Sequence, residues 1–168
     1  MKPEMLKPEI QIKSQESIGD QLASCLSARR EAITAAWVTA VEQDTKLPSS
    51  DNLTLHQLRD HLPQLFENLS DTLRNAFNKD LKEKAAQTAA KHGEHRWKEG
   101  YDLSELIREF AHVRSAFIFE LIQFEEQHPD FGGAARLFVQ VTFHRFFDDA
   151  IRNSVEQFRE EQQPGSKK

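Results

Sequence analysis

Residues 91–114 read KHGEHRWKEGYDLSELIREFAHVR, and this stretch predicts the end of one helix, a sharp corner and the start of the next. Gly100 lies where helices commonly end in a left-handed residue. Asp102 is a favourable N-cap for the helix that follows, and Glu105, three residues later, completes a capping-box pattern. A stop signal and a start signal therefore specify the same corner.

The same stretch is rich in polar side chains, for which two interpretations remain open. In the first, they are surface charges that pair three or four residues apart along a helix. In the second, some of them face inward and form a hydrogen-bonded layer between two helices. We favour a partly buried layer, and the predicted members are His92, Arg96, Tyr101, Glu109 and Arg114. Both a ligand-binding role and a purely structural role stay open for this layer.

Outward from the corner, apolar residues recur at three- and four-residue steps, which is typical of amphipathic helices. The predicted helices span about 17–43, 55–77, 80–99, 103–127 and 134–162. Pro63 predicts a kink or a fresh start within the second of them. No stretch alternates with period two, so we predict an all-α fold, an antiparallel bundle of five or six helices.

A length of 168 residues fits one domain. We predict a flexible N-terminal tail over 1–15, one helical domain over 16–162 and a flexible C-terminal tail over 163–168.

The last two predicted helices are apolar around much of their circumference, and such helices must be covered on all sides. Five helices in one subunit cover them only in part, so we expect a homodimer. A seam of three- and four-residue steps along the terminal helix predicts an interface that includes Ile151, Val155 and Phe158. The alternative is a monomer in which the first two helices wrap around the terminal one.

Composition excludes several classes of partner. A net charge of −5 and a pI near 5.8 argue against nucleic acid, which requires a basic face. No run approaches 18 apolar residues, so we predict no membrane insertion. The N-terminus lacks the apolar block of a secretory signal, and the single cysteine, Cys25, excludes an internal disulfide. We therefore expect a cytoplasmic protein.

Seven histidines raise the question of a metal site. Carboxylate-bridged helical bundles use Glu-x-x-His pairs from two different helices. Here Glu109–His112 and Glu125–His128 fall on the same predicted helix, so they do not build such a site. Solvated or capped histidines are the favoured interpretation, and we predict no metal site.

Cofactor binding and catalysis have little support in the sequence. His144 lies among apolar residues and is the best candidate for a haem ligand, but a buried core histidine is favoured there. No G-x-S-x-G motif or glycine-rich phosphate loop occurs. Cys25 lies among leucines and small residues, as structural cysteines do. We predict no cofactor, no catalytic residue and no enzymatic activity.

Segments from several helices together resemble the N-terminal sensory domain of RsbRD-type stress regulators, and bacterial sensor histidine kinases carry similar domains. These segments are HLP at 61–63, HGEHRWKEGYDLSELIREF at 92–110, VR at 113–114 and FHRFFDDAI at 143–151. The resemblance covers roughly residues 30–158.

The resemblance implies a helical sensory or regulatory module and implies neither a ligand nor a catalytic residue. We expect a non-enzymatic module of bacterial signal transduction, in which an input shifts the packing between the helix carrying Glu109 and the terminal helix. The terminal helix then passes the change to a signalling partner or an output domain. No kinase or STAS domain follows in this sequence, so the output is expected elsewhere. The competing class is a ligand-, haem- or metal-binding helical bundle.

Overall fold

The computed structural model describes the backbone of residues 8–163 and the side chains of residues 18–163. The helices are α1 (Pro8–Ala28), α2 (Arg30–Gln43), α3 (Leu55–Arg59), α4 (Leu62–Arg74), α5 (Lys79–Lys98), α6 (Leu103–Gln127) and α7 (Gly133–Gln162), with a short 3-10 helix at Pro48–Asn52. Six of them are long enough to pack along one another, and the described residues contain no strand. The predicted all-α bundle is confirmed.

Two predicted helices are each divided in the structure. The first is interrupted at Arg29, whose side chain donates from Nε to Glu120 of α6 at 3.2 Å. The second makes a fresh start at Leu62, where Pro63 occupies the first turn of α4 and needs no hydrogen-bond acceptor.

The ends of the described segment bear on the predicted tails. Helix α1 begins at Pro8, a residue well suited to the first turn of a helix, so it includes part of the segment 1–15; the flexibility of both tails stays a prediction. Residues 1–7 and 164–168 of the two tails lie outside the described residues.

The predicted corner between α5 and α6 forms as the stop and start signals indicate. Gly100 has φ +86°, and Tyr101 N–H donates to Arg96 O at 3.0 Å, as in a Schellman motif. Asp102 accepts from Glu105 N–H, and the Glu105 carboxylate accepts from Asp102 N–H, both at 2.8 Å. The capping box is therefore complete, and the direction of α6 relative to α5 is closely defined.

The bundle has two extensive helix pairs, α1 against α4 and α5 against α7. Phe117 of α6 joins them in the core, because its ring contacts Phe66 of α4 and Phe147 of α7, with centroids 4.7 and 5.7 Å away. Over residues 8–163, none of the helices combines the length and the apolarity needed to cross a membrane.

Candidate functional site

The centre of the site is a buried ion pair between α5 and α6. Arg96 and Glu109 have relative exposures of 0% and 1%, and Arg96 Nε lies 3.1 Å from each carboxylate oxygen of Glu109. Burying two charges is costly unless each is paired and hydrogen-bonded. The corner at Gly100 provides the pairing, because it sets the last turn of α5 against the second turn of α6.

The Arg96 guanidinium also closes the end of the short helix α3. Its Nη2 donates to Leu58 O at 2.9 Å, and its Nη1 donates to Gln57 O at 3.3 Å. The last carbonyls of a helix lack intrahelical partners and carry partial negative charge, so a buried cation suits them. Nη1 also donates to Glu99 Oε2 at 2.6 Å. One arginine therefore ties α3, α5 and α6 together.

Two histidines extend this arrangement, His61 from the α3–α4 junction and His92 from α5. Their ring centroids lie 3.9 Å apart. His92 Nε2 lies 3.2 Å from Glu109 Oε1, and His61 Nε2 lies 3.8 Å from the same oxygen. His61 Nδ1 faces Asp60 Oδ1 at 3.5 Å and Arg96 Nη2 at 3.3 Å. We call His61, His92, Arg96 and Glu109 the Arg96 cluster.

Burial and mutual interactions determine the charges of the cluster. Burial, with a contribution from the neighbouring His92, lowers the pKa of His61 to about 3. Burial also lowers the pKa of His92, although Glu109 opposes this effect. For Glu109, burial alone would raise the pKa, but Arg96 and His92 hold it below its usual range. At neutral pH the cluster thus contains two neutral imidazoles, a guanidinium cation and a carboxylate.

Aromatic rings enclose the two imidazoles. Trp37 of α2 contacts the His61 ring edge-on, with centroids 5.6 Å apart. Phe110 of α6 contacts the His92 ring in the same manner at 5.2 Å. An apolar shell of this kind limits access of water and strengthens the electrostatic interactions inside it.

Tyr101 lies on the other side of Arg96. The Arg96 Cζ atom is 5.3 Å from the centroid of the tyrosine ring, within the range of a cation–π contact. Burial and the nearby Glu109 carboxylate raise the pKa of Tyr101. Within the described part of the chain, the Tyr101 hydroxyl and His92 Nδ1 are buried without a hydrogen-bond partner.

Most of the residues predicted for the polar layer meet at this site, namely His92, Arg96, Tyr101 and Glu109. The fifth, Arg114, lies farther along α6 and is partly exposed. Its Nη1 is 3.9 Å from Asp148 Oδ1, a distance typical of a weak surface pair.

Sequence reasoning did not assign His61, Asp60 or Glu99 to the site. The only available signal for His61 was its place in the HLP tripeptide, which carries part of the family resemblance. The carbonyls of Gln57 and Leu58 have no signal in the sequence, because every residue has a carbonyl.

The predicted interface residues lie on α7 with different exposures. Ile151 and Val155 are partly buried. Phe158 is completely buried within the subunit, where its ring meets Trp97 edge-on at 5.4 Å, so it offers no surface to a partner. His144, considered as a haem ligand, is exposed on α7, so the favoured prediction of a buried core histidine is wrong.

Comparison with family models matches residues 31–164 to the RsbT co-antagonist protein rsbRD N-terminal domain. No curated protein and no solved structure matches the chain. The match includes α3 to α7 and all of the Arg96 cluster, and the family is associated with stress-signalling regulators. The resemblance carried by residues 61–63, 92–114 and 143–151 is thereby confirmed. The chain belongs to the family of RsbRD N-terminal domains, which are regulatory domains of stress signalling.

Proposed function

We propose that this domain is a non-enzymatic sensory or regulatory module of bacterial signal transduction, in which a change at the Arg96 cluster reaches a signalling protein through α7. The observation that carries the proposal is the complete burial of Arg96, which binds three helices through one side chain. Buried polar networks specify one packing arrangement, so altering one member changes how the helices fit together. The family association with stress regulators supports the regulatory role.

Helix α5 provides the physical connection from the cluster to α7. Gly93 follows His92 directly, and a Cβ built on Gly93 would overlap the carbonyl oxygen of Ser154 in α7. Ser154 Oγ donates to Ala89 O of α5 at 2.5 Å. Because the two backbones are in contact at this point, a shift or rotation of α5 displaces α7 as well.

In this proposal, a change at Glu109 on α6 reaches the terminal helix α7 indirectly, through another helix. Helix α7 packs mainly against α5 and less extensively against α6. Glu109 therefore acts on α7 through Arg96 and α5.

Hydrogen exchange tests this relay. Glu109→Gln removes the charge that pairs with Arg96 but keeps the size of the side chain. We expect faster amide exchange in α5 and also in α7 around Ser154, because the α5–α7 contact loosens. A control, Asp149→Asn, alters an exposed ion pair with Arg152 on α7 itself and is expected to leave exchange in α5 unchanged. Faster exchange confined to α6 would contradict the relay.

We also propose that the module is a homodimer and that the outer faces of α6 and α7 form its interface. Phe119 and Ile122 of α6 are 60% and 48% exposed, and Leu137 of α7 is 61% exposed. Large exposed apolar side chains are typical of interaction surfaces. A two-fold dimer through these faces brings two terminal helices together, with Ile151 and Val155 at the contact. The family is named after a co-antagonist of RsbT, which supports a protein as the downstream partner.

Light scattering at micromolar concentration tests the dimer. We expect a dimer mass for the wild type and a lower mass for Ile122→Asp and Val155→Asp, because a charge in the interface is left unpaired. Leu55→Asp is the matched control, since Leu55 is 53% exposed in α3, outside the proposed interface. A monomer mass for the wild type would exclude the dimer.

A further inference from the structure

We propose that His61, His92 and Glu109 bind a divalent transition-metal ion. The three residues come from the α3–α4 junction, α5 and α6, and one ligand atom of each lies within 4.8 Å of the other two. Imidazole nitrogens and carboxylate oxygens are ordinary ligands of zinc and of non-haem iron. The proposal goes beyond a regulatory role, because it assigns a ligand to the Arg96 cluster.

The spacing of the ligand atoms fits such an ion. Four ligands arranged tetrahedrally at about 2.0–2.2 Å from a metal are separated from one another by roughly 3.4 Å. Glu109 Oε1 lies 3.2 Å from His92 Nε2 and 3.8 Å from His61 Nε2. All three separations lie within 4.8 Å, so rotation of the two imidazole rings would place the three atoms around one ion.

The charges around the site favour a divalent cation. The site contains three carboxylates, those of Asp60, Glu99 and Glu109, and one guanidinium, that of Arg96, which pairs with Glu99 and Glu109. The formal excess of two negative charges is the charge that a divalent ion neutralises. Arg96 does not need to move, because a carboxylate has about four lone-pair positions and can accept from an arginine while binding a metal.

The groups behind the ligands support the same assignment. Histidines that bind a metal usually donate their other ring N–H to a carboxylate or a carbonyl. With a metal on Nε2, His61 Nδ1 would carry the proton and donate it to Asp60 Oδ1, 3.5 Å away. Arg96 Nη2, 3.3 Å from the same Nδ1, keeps its hydrogen bond to Leu58 O. His92 Nδ1 is buried without a partner among the described residues, and an unpaired buried polar atom needs an explanation.

An ion has both a route to the site and space for a bound water. The His61 side chain is 11% exposed, so one edge of the site reaches the surface. A cavity of about 20 Å³ lies beside both imidazoles, against Ala89 and Phe110. A void of this size is large enough for one water molecule.

The test uses the full chain without a histidine tag, after treatment with a chelator. Cobalt(II) is added, and binding is followed by visible absorption and by tryptophan fluorescence in a Trp97→Phe background. We expect one ion per chain, with quenching of Trp37, because the Trp37 ring contacts the His61 ring. The highest cobalt concentration, about 100 µM, is well above the dissociation constants of ordinary protein metal sites. If the folded protein shows no saturable binding up to this concentration, the proposal is overturned.

Variants separate this site from surface histidines. We expect His61→Gln and Glu109→Gln to weaken cobalt affinity at least about tenfold, and Asp60→Asn to weaken it by about tenfold through His61. His144→Gln removes an exposed histidine on α7 and is expected to leave the affinity unchanged. Equal affinity in wild type and His61→Gln would overturn the assignment, since His61 lies at the edge of the cluster and its replacement is compatible with folding.

The metal site itself does not depend on the proposed function. A role for the ion as the input of the regulator rests on the proposed function and is tested separately. Saturation with cobalt is expected to slow hydrogen exchange in α5 and in α7 around Ser154. Binding without any change of exchange would overturn the input role and leave the metal site standing.

Discussion

Arg96 is a buried cation whose hydrogen-bonding groups all have partners. Its Nε binds Glu109, its Nη1 binds Gln57 O and Glu99, and its Nη2 binds Leu58 O. Such a pair is rarely better than a well-packed apolar pair for stability, but removing one member leaves a buried charge uncompensated. The main effect of Arg96 is thus to specify a single arrangement of three helices.

We expect Arg96→Met to lower the free energy of unfolding by about 3–5 kcal/mol, because Glu109 is left buried and unpaired. In a double-mutant cycle with Glu109→Leu, we expect the double variant to lose much less than the sum of the two single losses. Urea unfolding measures each value. Arg152→Ala, which breaks an exposed pair with Asp149, is the control and should change stability by less than about 1 kcal/mol. Additive effects in the cycle would contradict the geometry.

At the scale of the helices, the contact between α5 and α7 depends on the absence of a side chain. Glycine in the middle of a helix is unfavourable by about 1 kcal/mol relative to alanine. Gly93 is nevertheless required, because its α-carbon faces the carbonyl oxygen of Ser154 and leaves no space for a Cβ. The close approach in turn permits the hydrogen bond from Ser154 Oγ to Ala89 O.

We therefore expect Gly93→Ala to destabilise the protein by about 1–3 kcal/mol despite its better helix propensity, because overpacking separates the two helices. Gly133→Ala is the matched control. No heavy atom lies within 4 Å of a Cβ built there, so the change should be neutral or stabilising by up to about 1 kcal/mol. Thermal unfolding of both variants measures the difference, and equal effects would argue against a direct backbone contact.

At the scale of the whole molecule, the N-terminal helices are joined to α6 by ionic contacts nearer the surface. Asp44, at the end of α2, accepts from Arg108 Nε at 2.5 Å and lies 2.7 Å from His112 Nε2. These hydrogen bonds, from His112 and then from Arg108, lower the pKa of Asp44 well below 3.8. The folded state thus binds a proton at Asp44 less readily than the unfolded state.

The stabilising contribution of Asp44 is expected to be complete well above pH 3.8, its unfolded value, and to be lost as the pH falls through and below that value. The difference in unfolding free energy between wild type and Asp44→Asn should therefore shrink between about pH 5.5 and pH 3. Denaturant unfolding across this range measures it. In an Arg108→Gln background the trend should be weaker, and a difference that stays constant with pH in the wild-type background would contradict the prediction.

The helices and the corner were predictable because their signals are local. Gly100, Asp102 and Glu105 act on backbone groups a few residues away. The apolar periodicity of α6 and of α7 depends only on residues within the same helix. The ion pair of Arg29 with Glu120 was not visible, since Glu120 is ninety-one residues away in the chain.

The polar layer was predictable only on its α5–α6 side. His92, Arg96 and Glu109 flank a corner with a defined direction, so their approach follows from local structure. His61 reaches them only after α4 has packed into the bundle, and no local pattern carries that information. For the same reason the absence of a metal site was predicted from pairs within one helix, whereas the proposed ligands come from three separate elements.

By itself the sequence determined an all-α chain, the corner at Gly100 and the membership of the family, because helix periodicity, capping and motif spacing are properties of neighbouring residues. The tertiary structure alone decided that His61 faces His92, that Arg96 closes α3, and that Phe158 is buried inside the subunit. Each of these depends on contacts between segments far apart in the chain. Such contacts depend on the packing of whole helices, because a buried charge requires a partner and a large ring requires space in the core, and both are set by the complete fold.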